Sequence, residues 1–193
     1  MKEMRTKRAV FLDRDGTINV DTDYVHRAED FEFIPGAPEA IRLLKEAGLV
    51  VVVVTNQSGI GRGYYDEEAL ADLHRYLDTE LAPVGASIDA YYFCPHHPEH
   101  AVGDYRVDCS CRKPLPGMLE QAACDLDLDL RRSFMVGDKL SDVEAGLQAG
   151  CRTLLVRTGY GDKAAPSVPE GVTVCDDLMS AARSILAELS LES

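Results

Sequence analysis

Hydrophobic positions in this chain come in short unbroken runs and in helical stripes, and the two kinds alternate along its length. Lys7 to Asp13 holds the run Ala9-Val10-Phe11-Leu12, and Leu49 to Val54 is apolar throughout. Ile88 to Phe93, Phe134 to Val136 and Cys151 to Val156 are shorter runs of the same type. Runs like these, bounded by turn residues, predict parallel strands buried on both faces. Between them, apolar residues recur at helical spacing. Ala40, Ile41, Leu43 and Leu44 lie between Pro35-Gly36-Ala37-Pro38 and Gly48, and Leu70, Leu73, Leu77 and Leu81 form a stripe from about Asp66. Pro116 to about Leu128, Lys139 to Ala149 and Leu178 to Leu189 also read as helices. Val172 to Cys175 reads as an edge strand, and the Gly/Pro-rich residues 159–171 as a surface loop. Regular strand–helix alternation predicts an α/β fold with a doubly wound, mainly parallel sheet.

Composition narrows the picture. The 193 residues suit one domain, 1–193, with a substantial core. A formal net charge of −13 speaks against nucleic acid and against an anionic membrane as partners. The nearest basic run, Lys2 to Arg8, is broken by Glu3 and reads as a solvated start. No stretch approaches the ~20 apolar residues of a membrane span, and the run ending at Asp13 is too short for a signal-peptide core. The expected location is therefore cytoplasmic, where six cysteines suggest metal binding or packing before disulfides.

The chemistry gathers at the predicted strand ends: Asp13 with Asp15, Thr55 with Asn56, Cys94, and Asp138. In a parallel sheet these ends share one edge, which is where open α/β sheets bind ligands. Asp13, Asp15 and Asp138 would put carboxylates together in one crevice, which is costly without a cation. Oxygen ligands with that need suit Mg²⁺ and favour a phosphate-bearing substrate. Arg112, Lys113 and Lys139 offer further positive charge. The bland alternatives are an Asp-rich turn at Gly16 and a helix N-cap at Asp138.

A second cluster pairs Cys94-Pro95-His96 with Cys109-Ser110-Cys111 across 12 residues. Cys94, His96, Cys109 and Cys111 would make a closed, structural Zn²⁺ site in the loop 94–111, in preference to a set of core thiols. Such a site can contribute ~10 kcal/mol or more to ordering its loop, and it would fix Lys113 from outside the sheet. His97 and His100 read as solvated, and Cys124, Cys151 and Cys175 as buried thiols.

Asp13-x-Asp15-Gly16-Thr17, Thr55 after its strand, Lys113, and Gly137-Asp138-x-x-x-Asp142 resemble, in order, the four motifs of the haloacid dehalogenase superfamily. The resemblance covers residues 10–145. It implies a Rossmann-like sheet and Mg²⁺-dependent phosphoryl transfer, with catalytic residues Asp13, Asp15, Thr55 and Lys113. Asp13 would be the nucleophile forming an aspartyl-phosphate, and Asp15 the acid and then the base. Thr55 and Lys113 would stabilise the phosphoryl oxygens. Asp13, Asp138 and the backbone carbonyl of Asp15 would hold Mg²⁺, with Asp142 behind them.

The zinc loop resembles two branches of the superfamily, the heptose 1,7-bisphosphate phosphatases and the histidinol phosphatases. Thr55-Asn56-Gln57-Ser58-Gly59-Ile60-Gly61-Arg62-Gly63 and Cys111-Arg112-Lys113-Pro114 favour the first, although Gly61 stands where that pattern has alanine. That branch implies removal of the 7-phosphate from a small phosphorylated sugar in nucleotide-activated heptose synthesis. No exposed apolar helix face argues for obligate assembly, so a monomer is expected. Asp21, Thr22, Asp23, Tyr24, Thr55, Asn56, Gln57, Ser58, Arg112, Lys113 and Lys139 would contact the substrate. Too little chain separates Asp15 from Thr55 for a large cap domain. The rivals are a histidinol-phosphate phosphatase and, from another class, a zinc-stabilised binding module without catalysis.

Overall fold

The computed structural model describes residues 6–191, so Lys2 to Arg5 of the basic start lie outside the described residues. Its strands are β1 (Ala9–Leu12), β2 (Val50–Asn56), β3 (Ala90–Cys94), β4 (Phe134–Gly137), β5 (Arg152–Val156) and β6 (Thr173–Cys175). They form one sheet in the order β3-β2-β1-β4-β5-β6, with every pairing parallel. The chain winds outward from β1 in one direction through β2 and β3, and in the other through β4, β5 and β6. The order therefore reverses between β1 and β4, which is the switch point where such sheets open a crevice.

The helices are α1 (Ala37–Glu46), α2 (Ser58–Gly61), α3 (Glu67–Leu81), α4 (Gly117–Leu126), α5 (Leu140–Gln148), α6 (Gly161–Ala164) and α7 (Leu178–Leu191). Because strand side chains alternate in direction, β1 serves two cores. Val10 and Leu12 pack with Ile41 and Leu44 of α1, Leu77 and Leu81 of α3, and Ile185 of α7. Ala9 and Phe11 pack with Met118, Leu119 and Ala122 of α4 and Ala145 of α5. The unbroken apolar runs are thus explained by helices covering both faces. Among the described residues, no helix is long and apolar enough to cross a membrane.

The structure departs from the sequence reading at several places. Thr55 and Asn56 belong to β2 rather than following it. Gly59 and Gly61 lie in the short helix α2, each packed closely against a neighbouring segment. Residues 159–171 contain α6, whose Gly161 and Ala164 are buried, so this segment packs on the sheet edge. Cys124 is exposed, not buried. It sits about 200° around α4 from Ala122, on the face away from the core. Asp138 is not an N-cap either: Lys139 occupies that position, and its N–H donates to Asp142 Oδ2 (2.9 Å).

The segments that leave the sheet at its ligand-binding edge stay small. Residues 13–36 and 95–116 each contain one short 3₁₀ turn, at Ala28–Asp30 and Gly103–Tyr105, and no inserted domain.

Candidate active site

Asp13 leaves the end of β1, with its N–H donating to the Val136 carbonyl of β4 (2.9 Å), and Asp138 follows β4. Parallel pairing of the two strands therefore sets both carboxyls side by side. Asp142, in the first turn of α5, joins them, and a carboxylate oxygen from each of the three lies within 4.8 Å of the others. All three residues are almost wholly buried. Lys113 enters from the far side. Its Nζ donates to Asp13 Oδ1 (2.9 Å) and the Val54 carbonyl (2.7 Å), and pairs with Asp142 Oδ1 at 2.6 Å.

One buried ammonium does not balance three buried carboxyls. Burial first, then repulsion from Asp142, pushes Asp13 up to about 6, against the pull of Lys113 and Lys139. Asp138 is pushed up to about 8 by burial and by Asp13 and Asp142. For Lys113, burial acts downward, but Asp13 and Asp142 outweigh it and hold the amine above the usual lysine range. Asp138 Oδ1 is buried and has no hydrogen-bond partner, a cost that a native site seldom bears without an ion or water. Its other oxygen, Oδ2, accepts the Tyr160 N–H at 2.8 Å. A Cβ on Gly159, whose φ is +57°, would stand 2.2 Å from Asp138 Oδ2, so only glycine fits this approach. The donor set therefore fits a small, hard cation facing Asp13 and Asp138.

Asp15 stands apart from that cluster. Its carboxylate takes a fork of hydrogen bonds from Arg14, whose side chain is fully buried, together with Asn19 Nδ2 (3.0 Å) and Gln57 Nε2 (3.0 Å). Burial alone would raise its pKa, but Arg14, Asn19 and Gln57 together hold it below the usual carboxylate range. Arg14 Nη2 also donates to the Val25 carbonyl (2.6 Å). The same residue thus ties Asp15 to the loop in which Asp23 and Tyr24 adopt left-handed backbone, φ 64° and 54°. Strain of that kind gathers where a chain is held for a ligand, which favours a functional loop at 21–24 over an ordinary polar turn.

A small inner chamber of about 30 Å³, bordered by Asp13, Asp15, Thr55 and Lys113, adjoins an open outer chamber of about 320 Å³. Of the residues expected to meet substrate, Asp21, Asp23, Tyr24, Asn56, Gln57, Ser58, Arg112, Lys113 and Lys139 line the outer chamber, and Thr55 the inner one. Thr22 is exposed and lines neither chamber. Asn56 also clamps the lysine to β2, because its side-chain amide exchanges hydrogen bonds with the Lys113 backbone (3.0 and 3.1 Å). Tyr65, Ser141 and Tyr160 also line the outer chamber and escape the sequence reading. For Tyr160 a signal is present, since Thr158-Gly159-Tyr160-Gly161 follows a strand end in the manner of the other site segments.

The second cluster also assembles. The sulfurs of Cys94, Cys109 and Cys111 lie 3.1–3.5 Å apart, and His96 Nδ1 is 3.4 Å from Cys111 Sγ and 3.7 Å from Cys94 Sγ. Three thiols and an imidazole converging on one point are the soft donor set of a tetrahedral site. Cys111 leads directly into Arg112, whose Nη1 donates to the His96 carbonyl (3.2 Å), and then into Lys113. Gly61 of α2 meets this loop closely: a Cβ there would stand 2.5 Å from the Pro95 carbonyl oxygen.

A family model described as HAD-hydrolase-like matches residues 110–181. The D-glycero-beta-D-manno-heptose-1,7-bisphosphate 7-phosphatase of Yersinia pestis is 50% identical over 169 residues, which cover 87% of each chain. The Escherichia coli K12 protein of the same name is 48% identical over 169 residues, covering 87% of this chain and 86% of that one. Among solved structures, the chain is similar to a D,D-heptose 1,7-bisphosphate phosphatase from B. bronchiseptica complexed with magnesium and phosphate. The TM-score is 0.86 at 41% identity, covering 94% of this chain and 99% of the other. A Burkholderia thailandensis D,D-heptose 1,7-bisphosphate phosphatase gives a TM-score of 0.71 at 37% identity, with coverage of 94% and 99%.

Proposed function

Because this chain belongs to the heptose 1,7-bisphosphate phosphatase family of the haloacid-dehalogenase-like hydrolases, we propose that it removes the 7-phosphate from D-glycero-β-D-manno-heptose 1,7-bisphosphate. The observation that carries this reading is the Asp13–Lys113–Asp142 bridge at the throat of a wide polar chamber. It sets a carboxylate nucleophile and a buried cation where a phosphoryl group enters, and leaves room outside for a sugar.

In this mechanism a carboxylate oxygen of Asp13 attacks the 7-phosphorus and forms an aspartyl-phosphate. Lys113 Nζ and Thr55 Oγ1 face the phosphoryl oxygens and stabilise their charge as the bond to the leaving oxygen breaks. Asp15, a carboxylate in the free enzyme, relays to the departing C7 oxygen a proton brought in by the phosphate monoanion of the substrate, then takes one from the water that cleaves the acyl phosphate. Arg14, Asn19 and Gln57 hold its carboxyl in place for both steps. Asp13, Asp138 and the backbone carbonyl of Asp15 would hold Mg²⁺, which when bound neutralises the carboxylates and polarises the phosphoryl group. Arg112, suited to fork-like anion binding, would take the 1-phosphate. Asp21, Asp23, Tyr24, Asn56 to Ser58 and Lys139 would surround the sugar.

Cys94, His96, Cys109 and Cys111 would bind a structural Zn²⁺. With four protein ligands no position is left for water, so this metal holds the loop that presents Arg112 and Lys113. We read the chain as one catalytic domain that acts as a monomer in the cytoplasm. The six cysteines, all free thiols in the structure, suit that compartment.

The test is phosphate release with Mg²⁺ from the β and α anomers of heptose 1,7-bisphosphate and from histidinol phosphate, assayed side by side. The β anomer should give the highest kcat/KM. Preference for histidinol phosphate would overturn the assignment, and preference for the α anomer would move the enzyme to a different heptose route.

A further inference from the structure

The segment after β5 is pinned to the active site by one side-chain and one backbone hydrogen bond. Thr158 Oγ1 donates to the Gly16 carbonyl (2.6 Å), and the Gly161 N–H donates to the Thr158 carbonyl (2.9 Å). Between them the Tyr160 N–H donates to Asp138 Oδ2 (2.8 Å). These bonds fix the Tyr160 backbone, and its ring, 43% exposed, lines the outer chamber. The Lys139 ammonium lies 4.9 Å from the ring centroid, within cation–π range, and its Nζ is 3.2 Å from Asp21 Oδ2. Lys139 borders both the inner and the outer chamber, so its charge stands at the passage between them. A lysine on a four-carbon stem at such a place needs supports to hold one position, since its rotamer freedom opposes order. Asp13 and Asp138 attract the ammonium from the inner chamber, and Asp21 and the Tyr160 ring hold it from the outer one. Lys163, whose Nζ is 5.6 Å from the same centroid, is exposed and does not line the chamber.

We propose that Tyr160 is a positioning residue: its ring face holds the Lys139 ammonium at the passage between the chambers, where that charge meets the anionic substrate. This rests on the phosphatase reading above and adds to it a residue through which substrate affinity is set. Tyr160 makes no bond to the reacting atoms. It acts through Lys139, and so its loss should weaken substrate binding in ground and transition states alike.

The experiment compares Tyr160→Phe, which keeps the ring face, with Tyr160→Leu, which keeps bulk without it, in the wild-type and Lys139→Ala backgrounds. Steady-state kinetics are measured with heptose 1,7-bisphosphate and, separately, with p-nitrophenyl phosphate. Tyr160→Leu should raise KM about fivefold with kcat within about twofold, while Tyr160→Phe stays within about twofold in both. In the Lys139→Ala background, Tyr160→Leu should add nothing, as expected when one residue acts only through the other. The inference is overturned if Phe and Leu behave alike, if kcat falls while KM is unchanged, or if the Leu effect persists without Lys139. Wild-type turnover of p-nitrophenyl phosphate alone would refute the heptose substrate, and the Tyr160 comparison would then be decided on that ester.

Discussion

Lys113 shows how much one side chain does here. Its ammonium satisfies Asp13, Asp142 and the Val54 carbonyl at once, in a place that water barely reaches. A buried charge held this way is costly to strand, so Lys113 and the carboxylates stand or fall together. Asp13 is the informative member to change. Asp13→Asn keeps the shape, removes a carboxylate that its neighbours repel, and leaves Lys113 paired with Asp142. The variant should fold with a thermal midpoint close to wild type while kcat falls by about a thousandfold or more. Retained turnover in a phosphate-release assay would exclude covalent transfer to Asp13.

At the scale of elements, two loops carry the site. The strand-following segment Thr158 to Tyr160 reaches Asp138 through a glycine with no room for a side chain. Gly159→Ala should therefore displace Asp138 or the segment, raising the Mg²⁺ concentration needed for half-maximal activity by about tenfold. An unchanged Mg²⁺ titration would show that the close contact is incidental. The cysteine–histidine loop supports Arg112 and Lys113 from outside the sheet. The purified protein should hold about one zinc per chain, and stripping it should expose residues 94–113 to hydrogen exchange while the sheet stays protected. Activity should remain low after Mg²⁺ alone is restored. A folded, active, zinc-free protein would sink the proposed metal site.

For the molecule as a whole, the crowded carboxylates link stability to pH and metal. Asp13 at about 6 and Asp138 at about 8 keep protons in the folded chain that the unfolded chain releases near 3.8. Between those limits the metal-free native state binds more protons than the unfolded state, so stability falls as pH rises. The contribution is complete below pH ~4 and is lost as pH climbs through 6 and 8. Thermal unfolding of metal-free protein at pH 5.5 and 8.5 should show a midpoint lower by roughly 5 °C at the higher pH. Mg²⁺ should restore it most at pH 8.5, where both carboxylates are charged. A metal-free midpoint that rises between these pH values would contradict the cluster.

Much of this protein is written in one dimension. Burial on both faces forces unbroken apolar strands, and helices must repeat at 3.6 residues, so the doubly wound sheet and its ligand-bearing edge follow from spacing alone. Asp13, Thr55, Asp138 and the cysteine–histidine pairs are legible because each closes a strand or matches a ligand spacing. What only the folded chain decides depends on distance between segments far apart in sequence. Asp142 reads as a residue behind the metal ligands, yet it meets Lys113 directly because α5 starts where the lysine arrives. The loop at 159–171 reads as mere surface, yet β5 delivers its start against Gly16 and Asp138. Periodicity reports which face a residue takes, whereas strand order and the close approach of backbones set which groups from different segments share a point in space.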